Sequence, residues 1–442
     1  MARGTRLELV GALVGEYARV PTINDHTHVI AEPDRLRRDL DALAYLAHPY
    51  VASDLLASGM TAADLRFATG SEGDLAPPDD RPPPGPLDAR WARVAPFWAR
   101  IRHGGFARCL LEGWDATFGI PDLDASTVGE LSARIRAARV PGHYRQVLHD
   151  EANIKVSLVQ MTGTYGEDIA EVDRTLFLPV PRLNRFTMVR RRADLEALES
   201  ELAIPLRTLD ALDDAMAGCA VRWKAAGAPA IKLSQSYHRA MDFDMPDHTG
   251  ATRALRTVWD GGYPGLDSAP GRVLEDWLVD AAVRAATAAR LPVEFHVGPR
   301  AGIYGTLEGT FLAPMAPFLR RHRDALFDIS HAGFPALREA AVLAKTFANV
   351  YLNLSWLHIY SPQACIDALQ EWVQMVPVNK VLGFGDDLYW VDTIHGHLRI
   401  ARRNVAFAMA GLVEDGVIRE RDAVEIGRAL FHDNPAAFYG IR

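Results

Sequence analysis

Pro292-Val293-Glu294-Phe295-His296 is a short apolar run that ends in a histidine, and residues 272–289 ahead of it carry apolar side chains at helical spacing. The next unit repeats the pattern: Leu326-Phe327-Asp328-Ile329-Ser330, then His331, then a helical stretch at 335–347. Val350-Tyr351-Leu352-Asn353-Leu354 and Lys380-Val381-Leu382-Gly383-Phe384-Gly385 continue it downstream. Upstream runs at 20–23, 154–159, 176–180 and 228–233 complete a set of eight. Strand-then-helix order implies a parallel sheet, and eight units imply a closed barrel rather than an open doubly wound sheet. No Gly-x-Gly-x-x-Gly turn follows the first run, which speaks against a dinucleotide site. The expected fold is α/β, a (β/α)8 TIM-type barrel occupying 1–442 as a single domain.

One region departs from the alternation. Residues 33–150 read as helical, with apolar periodicity at 34–46 and across 87–111. Inside them, Pro77-Pro78-Asp79-Asp80-Arg81-Pro82-Pro83-Pro84-Gly85-Pro86 excludes helix and central strand, so it is expected as an exposed loop. A helical insertion after the first strand is the result; its Trp91, Trp98 and Trp114 suit either a lid or a dimer surface.

Composition bounds the function classes. The 442 residues are 49% hydrophobic and 24% charged, ordinary for a soluble globular chain. A net charge of -8 argues against nucleic acid or an anionic membrane as partner. Cys109, Cys219 and Cys365 are far apart, so they form no thiolate knuckle and read as small buried hydrophobes in a reducing compartment. No signal-peptide core or long apolar span is apparent, so a cytoplasmic location, a small-molecule substrate and a homo-oligomer are the expectations.

In such a barrel the chemistry collects where strands end. Strand 1 leads into His26-x-His28, and residues two apart on a strand face the same side. Strand 5 ends in His296, strand 6 in His331 and strand 8 in Gly385-Asp386-Asp387. Imidazoles with carboxylates and no thiols suit zinc, with manganese as the alternative. Asp386 is favoured over Asp387 because it follows Gly385 directly at the strand end. Lys232, inside Ala230-Ile231-Lys232-Leu233, is an ammonium in an apolar strand, which is costly unless paired or neutralised. It either reaches the mouth to bind a substrate anion or carries a carbamate able to bridge two ions.

Together, Asp25-His26-Thr27-His28, Lys232, His296, His331, Asp386 and the closing Phe431-His432-Asp433-Asn434-Pro435 resemble the amidohydrolase superfamily, in its amidohydrolase-related branch. The segment 231–239 is similar to one in amidohydrolase domains sometimes fused to glutamine-synthetase-like domains. The large insertion after strand 1 resembles that of uronate isomerases. The resemblance implies His26, His28, His296 and Asp386 as metal ligands, with carbamylated Lys232 as a further one, and one or two ions. His331 would hold a second ion or act as acid, base or electrophile. The activity it implies is hydrolysis of a C–N or C–O bond by a metal-activated water, with Asp386 as general base. The rivals are a metal-dependent decarboxylase and a uronate-type isomerase.

Substrate-facing candidates follow strands 3, 4 and 7: Arg182 and Arg185 as a carboxylate clamp, then Tyr237, Trp356 and His358 as pocket walls. His395 and His397 form another pair, but 392–406 reads as a helix, where residues two apart diverge.

Overall fold

The computed structural model describes residues 5–71, 85–161, 169–262, 265, 268–305 and 307–442. Eight parallel strands form where the apolar runs predict them: β1 (Thr22–Thr27), β2 (Ile154–Gln160), β3 (Phe177–Val180), β4 (Ile231–Leu233), β5 (Val293–His296), β6 (Phe327–Ser330), β7 (Val350–Asn353) and β8 (Val381–Leu382). They pair in the order β1-β2-β3 and β4-β5-β6-β7-β8. Backbone hydrogen bonds join the two groups into a ring. Lys232 N–H donates to Pro181 O at 2.9 Å and Leu183 N–H to Lys232 O at 3.2 Å. On the other seam, Asp25 N–H donates to Phe384 O at 2.9 Å and Asp387 N–H to His26 O at 3.0 Å.

Period-two alternation sorts the side chains. On β5 and β6, Val293, Phe295, Phe327 and Ile329 pack outward into the main apolar core with the surrounding helices. Glu294, His296, Asp328 and Ser330 take the alternate positions, all at 2% exposure or less. The floor of the barrel is apolar: Ile23, Val156, Leu158, Val180, Ala230 and Leu382 meet Phe438 and Tyr439 of the C-terminal helix. That helix, Asn434–Tyr439, has Pro435 in its first turn, and Asp433 makes no capping hydrogen bond. Asn434 instead ties the segment to β8, donating to Val378 O and Val381 O at 2.8 Å each.

Between β1 and β2 the chain is helical. The pattern expected as one segment over 87–111 is two helices, Leu87–Ile101 and Gly105–Phe118, parted at Gly104, the extended N-cap residue of the second. The second helix crosses Val391–Glu414 so closely that a Cβ on Gly396 would lie 2.1 Å from Gly113 N, so only glycine fits there. Trp91, Trp98 and Trp114 are all buried. Of the Pro-rich loop, residues 72–84 lie outside the described residues. Among the described residues, no helix is long and apolar enough to cross a membrane.

Candidate metal centre

β1 and β2 change register between Asn24 and Thr27. Such irregularities re-aim side chains. Here Asp25 and His26, adjacent in sequence, both come under the influence of Glu294. His26 Nε2 and His28 Nε2 each lie 3.2 Å from the same atom, Asp387 Oδ1. His26, His331 and Asp387 offer ligand atoms all within 4.8 Å of one another. His296 Nδ1 is 2.8 Å from His331 Nε2, which adds a fourth imidazole to the group.

The backbone is bent to make this cluster. His331, Ala332, Trp356 and Asp387, at the ends of β6, β7 and β8, all have left-handed φ, at 65°, 57°, 40° and 55°. Conformations of this kind cost about 1–3 kcal/mol each and concentrate at functional sites. At Gly385 a Cβ would sit 2.6 Å from the Cβ atoms of His26 and Ser355, so glycine lets β8 close on the site.

The donor set fits a divalent ion. His296 Nε2 is buried and has no hydrogen-bond partner among the described residues. Burial would raise the Asp387 carboxyl, but hydrogen bonds from His26 and His28 outweigh it and hold the group well below the usual carboxylate range. Burial pulls His28 down to about 4, and pulls His296 and His331 well below 6.5. Burial thus favours in all three the neutral form that metal coordination requires. His26 differs. Burial and the Lys232 charge lower it, yet hydrogen bonds to Asp387 and Glu294 carry it above 6.5.

A pH signature follows. The His26 proton must leave when metal binds, and below its raised pKa that proton competes. The apparent zinc affinity is expected to fall about tenfold per pH unit as pH drops below that value. The slope should steepen only near 4, where His28 begins to titrate. Chelator competition across this range checks it; a two-proton slope already present near neutral pH would contradict the assignment.

The structure separates the residues expected from sequence. Asp386 is not in the cluster, which corrects the preference for it over Asp387. Its carboxylate accepts from Asn24, from Thr27 Oγ1 at 2.9 Å and from the Leu388 N–H at 2.6 Å, and burial pushes it up to about 7. Lys232 is at the site but beneath it. Its Nζ donates to Ser330 Oγ at 2.9 Å, stands 3.7 Å from Glu294 and faces His26 Nδ1, the ring atom opposite Asp387. Trp356 stacks on His331 at 4.7 Å, and Tyr237 Oη is 3.3 Å from His296 Nδ1. Arg182 is half-buried, and its charge acts on His28, Tyr237 and Tyr389.

Arg185 and His358 are elsewhere. Arg185 pairs with Glu201 in a groove lined by Asn184, Met188 and Arg190. His358 is turned into the core, with Nε2 2.9 Å from Gly383 O and Nδ1 3.3 Å from Cys365 Sγ. His397 also does structural work as its helical setting implied, with Nδ1 3.0 Å from Asp386 O.

Sequence reasoning missed Glu294, although it lies two residues before His296 and so shares its face. It also missed His48 and Tyr50 from the insertion. His48 Nε2 reaches Asp387 O at 3.3 Å, and Tyr50 stands against Trp356 at 5.9 Å. No local pattern marks either.

Residues 182–441 match the family described as Amidohydrolase. Protein fluG of Emericella nidulans is 24% identical over 208 residues, 45% of this chain, and the chain spans only 24% of that relative's length. The uronate isomerase of Thermotoga maritima superposes with a TM-score of 0.79 at 16% identity, covering 98% of this chain and 97% of its own. The glucuronate isomerase of Caulobacter crescentus gives 0.78 at 16% identity, covering 100% and 95%. These likenesses are of fold, and they include the insertion.

Proposed function

The chain belongs to the amidohydrolase family, and from that premise we propose that it is a single-metal enzyme that isomerises a small hydroxy acid of the uronate kind. The observation that carries this reading is the position of Lys232. Its ammonium reaches Ser330 and Glu294 on the Nδ1 edge of His26, away from the Asp387 edge where the ligand atoms gather, which favours a single ion. The whole-chain likeness to two isomerases, insertion included, supports the same reading.

His26, His28, His331 and Asp387 would hold the ion, for which zinc or manganese suits the nitrogen and oxygen donors. When bound, it supplies Lewis-acid polarisation of a substrate oxygen. The protein's own groups do the rest. Arg182 pairs with the substrate carboxylate as a guanidinium suited to planar anions. His296, neutral because it is buried, presents its unpartnered Nε2 as the base that takes a proton from the hydroxyl-bearing carbon and returns it to the neighbouring carbonyl carbon, while the hydroxyl proton passes to the carbonyl oxygen. Tyr237 holds the His296 ring from the other side. His48 and Tyr50, from the insertion, roof the centre and exclude water.

The test is a panel of aldohexuronic acids, amides and lactones incubated with the metal-loaded protein. Conversion of an aldose to a ketose, followed by NMR, is the expected result. Incorporation of labelled solvent oxygen into a cleaved amide or lactone, with no isomerisation, would restore the hydrolase reading. Release of carbon dioxide would point to decarboxylation.

A further inference from the structure

Beneath the donor cluster lies a group of buried polar side chains that the proposed reaction does not use. Glu294 is fully buried on β5, with Oε2 2.9 Å from Gln160 Nε2, 3.6 Å from His26 Nδ1 and 3.7 Å from Lys232 Nζ. Gln160 Nε2 and Lys232 Nζ themselves approach His26 Nδ1 to 3.3 Å and 3.5 Å. A neutral imidazole carries its proton on one nitrogen, and only the other can bind a metal. Of the three groups around Nδ1, Lys232 offers only donors, and Gln160 turns its amide N–H₂ inward because that group donates to Glu294. Left to these two, Nδ1 would become the acceptor, the proton would move to Nε2, and the edge facing Asp387 would lose its lone pair. Glu294 is the one acceptor in this set among the described residues.

We infer that Glu294 is a positioning residue that fixes the proton of His26 on Nδ1, freeing Nε2 for metal, and that Lys232 is its counter-ion. Carboxylates behind metal-bound histidines orient the ring and raise its basicity, and their loss typically lowers metal affinity 10- to 100-fold. The pairing also gives the strand-4 lysine a role of its own. An unpaired carboxylate at this depth is costly, and an adjacent ammonium offsets that cost. The inference rests on the metal-centre reading above and adds to it the group that sets the ligand's tautomer.

The experiment compares the full-length protein with Glu294→Gln by chelator competition for zinc and by the visible spectrum of the cobalt-loaded form. Glu294→Gln keeps the size of the side chain but offers an amide in place of the acceptor charge. The expected result is a zinc Kd raised about 10- to 100-fold and a changed cobalt spectrum. An unchanged Kd and spectrum, with only the thermal midpoint lowered, would reduce Glu294 to a structural residue and overturn the inference. Should the variant fail to fold, histidine-selective 15N NMR of the zinc-loaded wild type decides: Nδ1–H with metal on Nε2 of His26 supports the inference, and metal on Nδ1 overturns it. A wild-type protein that binds no zinc, manganese or cobalt would instead remove the metal centre itself, a distinct outcome from failure of the Glu294 assignment alone.

Discussion

Asp387→Asn is expected to strip the protein of metal and to lower turnover by about three orders of magnitude, whereas Asp386→Asn keeps the metal. The two neighbours are both buried, and their surroundings differ in kind. Asp387 Oδ1 stands 3.2 Å from both His26 Nε2 and His28 Nε2 and is held ionised by them. The amide removes the one anionic donor of the cluster. Three factors of ten correspond to about 4 kcal/mol, within the several kcal/mol that a bound ion contributes to a transition state. Asp386 spends its oxygens on Asn24, Thr27 and the Leu388 N–H. An amide at that position would therefore cost stability, about 1–3 kcal/mol for a mispaired buried group, and not a ligand. Metal content by elemental analysis, turnover and chemical denaturation on the two variants separate these effects. Loss of metal from Asp386→Asn with retention in Asp387→Asn would reverse the assignment.

That pair also illustrates what the chain discloses before it folds. Strand positions were legible because apolar runs and helical stretches obey local rules. Histidines at strand ends were legible because a barrel gathers those ends. The choice between Asp386 and Asp387 was not, since it turns on a left-handed φ of 55° at Asp387 that swings its side chain toward the histidines. The same holds after β7. Trp356, with φ of 40°, starts the short helix Leu357–Tyr360, so His358 turns away from the mouth toward Gly383 and Cys365. Lys232 was recognisable as a buried charge in an apolar strand, but its partner Glu294 lay in another strand. Only the pairing of Lys232 with Glu294 across β4 and β5 brings them together. His48 and Tyr50 reach the centre through the tertiary packing of the insertion, for which no spacing rule exists.

The insertion's hold on the site yields the other large effect: Asp41→Asn is expected to destabilise the protein by about 3–5 kcal/mol, as breaking a buried ion pair from one side does. Asp41 and Arg90 are almost wholly buried. Arg90 Nη1 is 2.5 Å from Asp41 Oδ2 and Arg90 Nη2 is 3.2 Å from Oδ1. Asp41 Oδ1 also accepts the N–H groups of Leu43 and Ala44 at 3.1 Å each, which starts the short helix Ala44–Ala47. That helix delivers His48 and, two residues on, Tyr50 to the roof of the metal centre. With an amide at 41, the Arg90 guanidinium keeps its Ala68 O contact but loses its counter-charge. Unfolding entropy of about 2.1 cal/mol/K per residue, scaled to this chain length, turns the loss into a fall of roughly 3–5 °C in thermal midpoint. Because the capped turn leads into the roof, kcat/KM should fall in the variant while metal content stays at the wild-type level. The double variant Asp41→Asn/Arg90→Met separates charge from packing: with the guanidinium gone and the amide oxygen still able to accept from Leu43 and Ala44, it should recover most of the lost stability. A single variant that loses less than about 1 kcal/mol, the scale of an exposed pair, would mean that water reaches Asp41 and Arg90 and that the insertion is held by its apolar contacts alone.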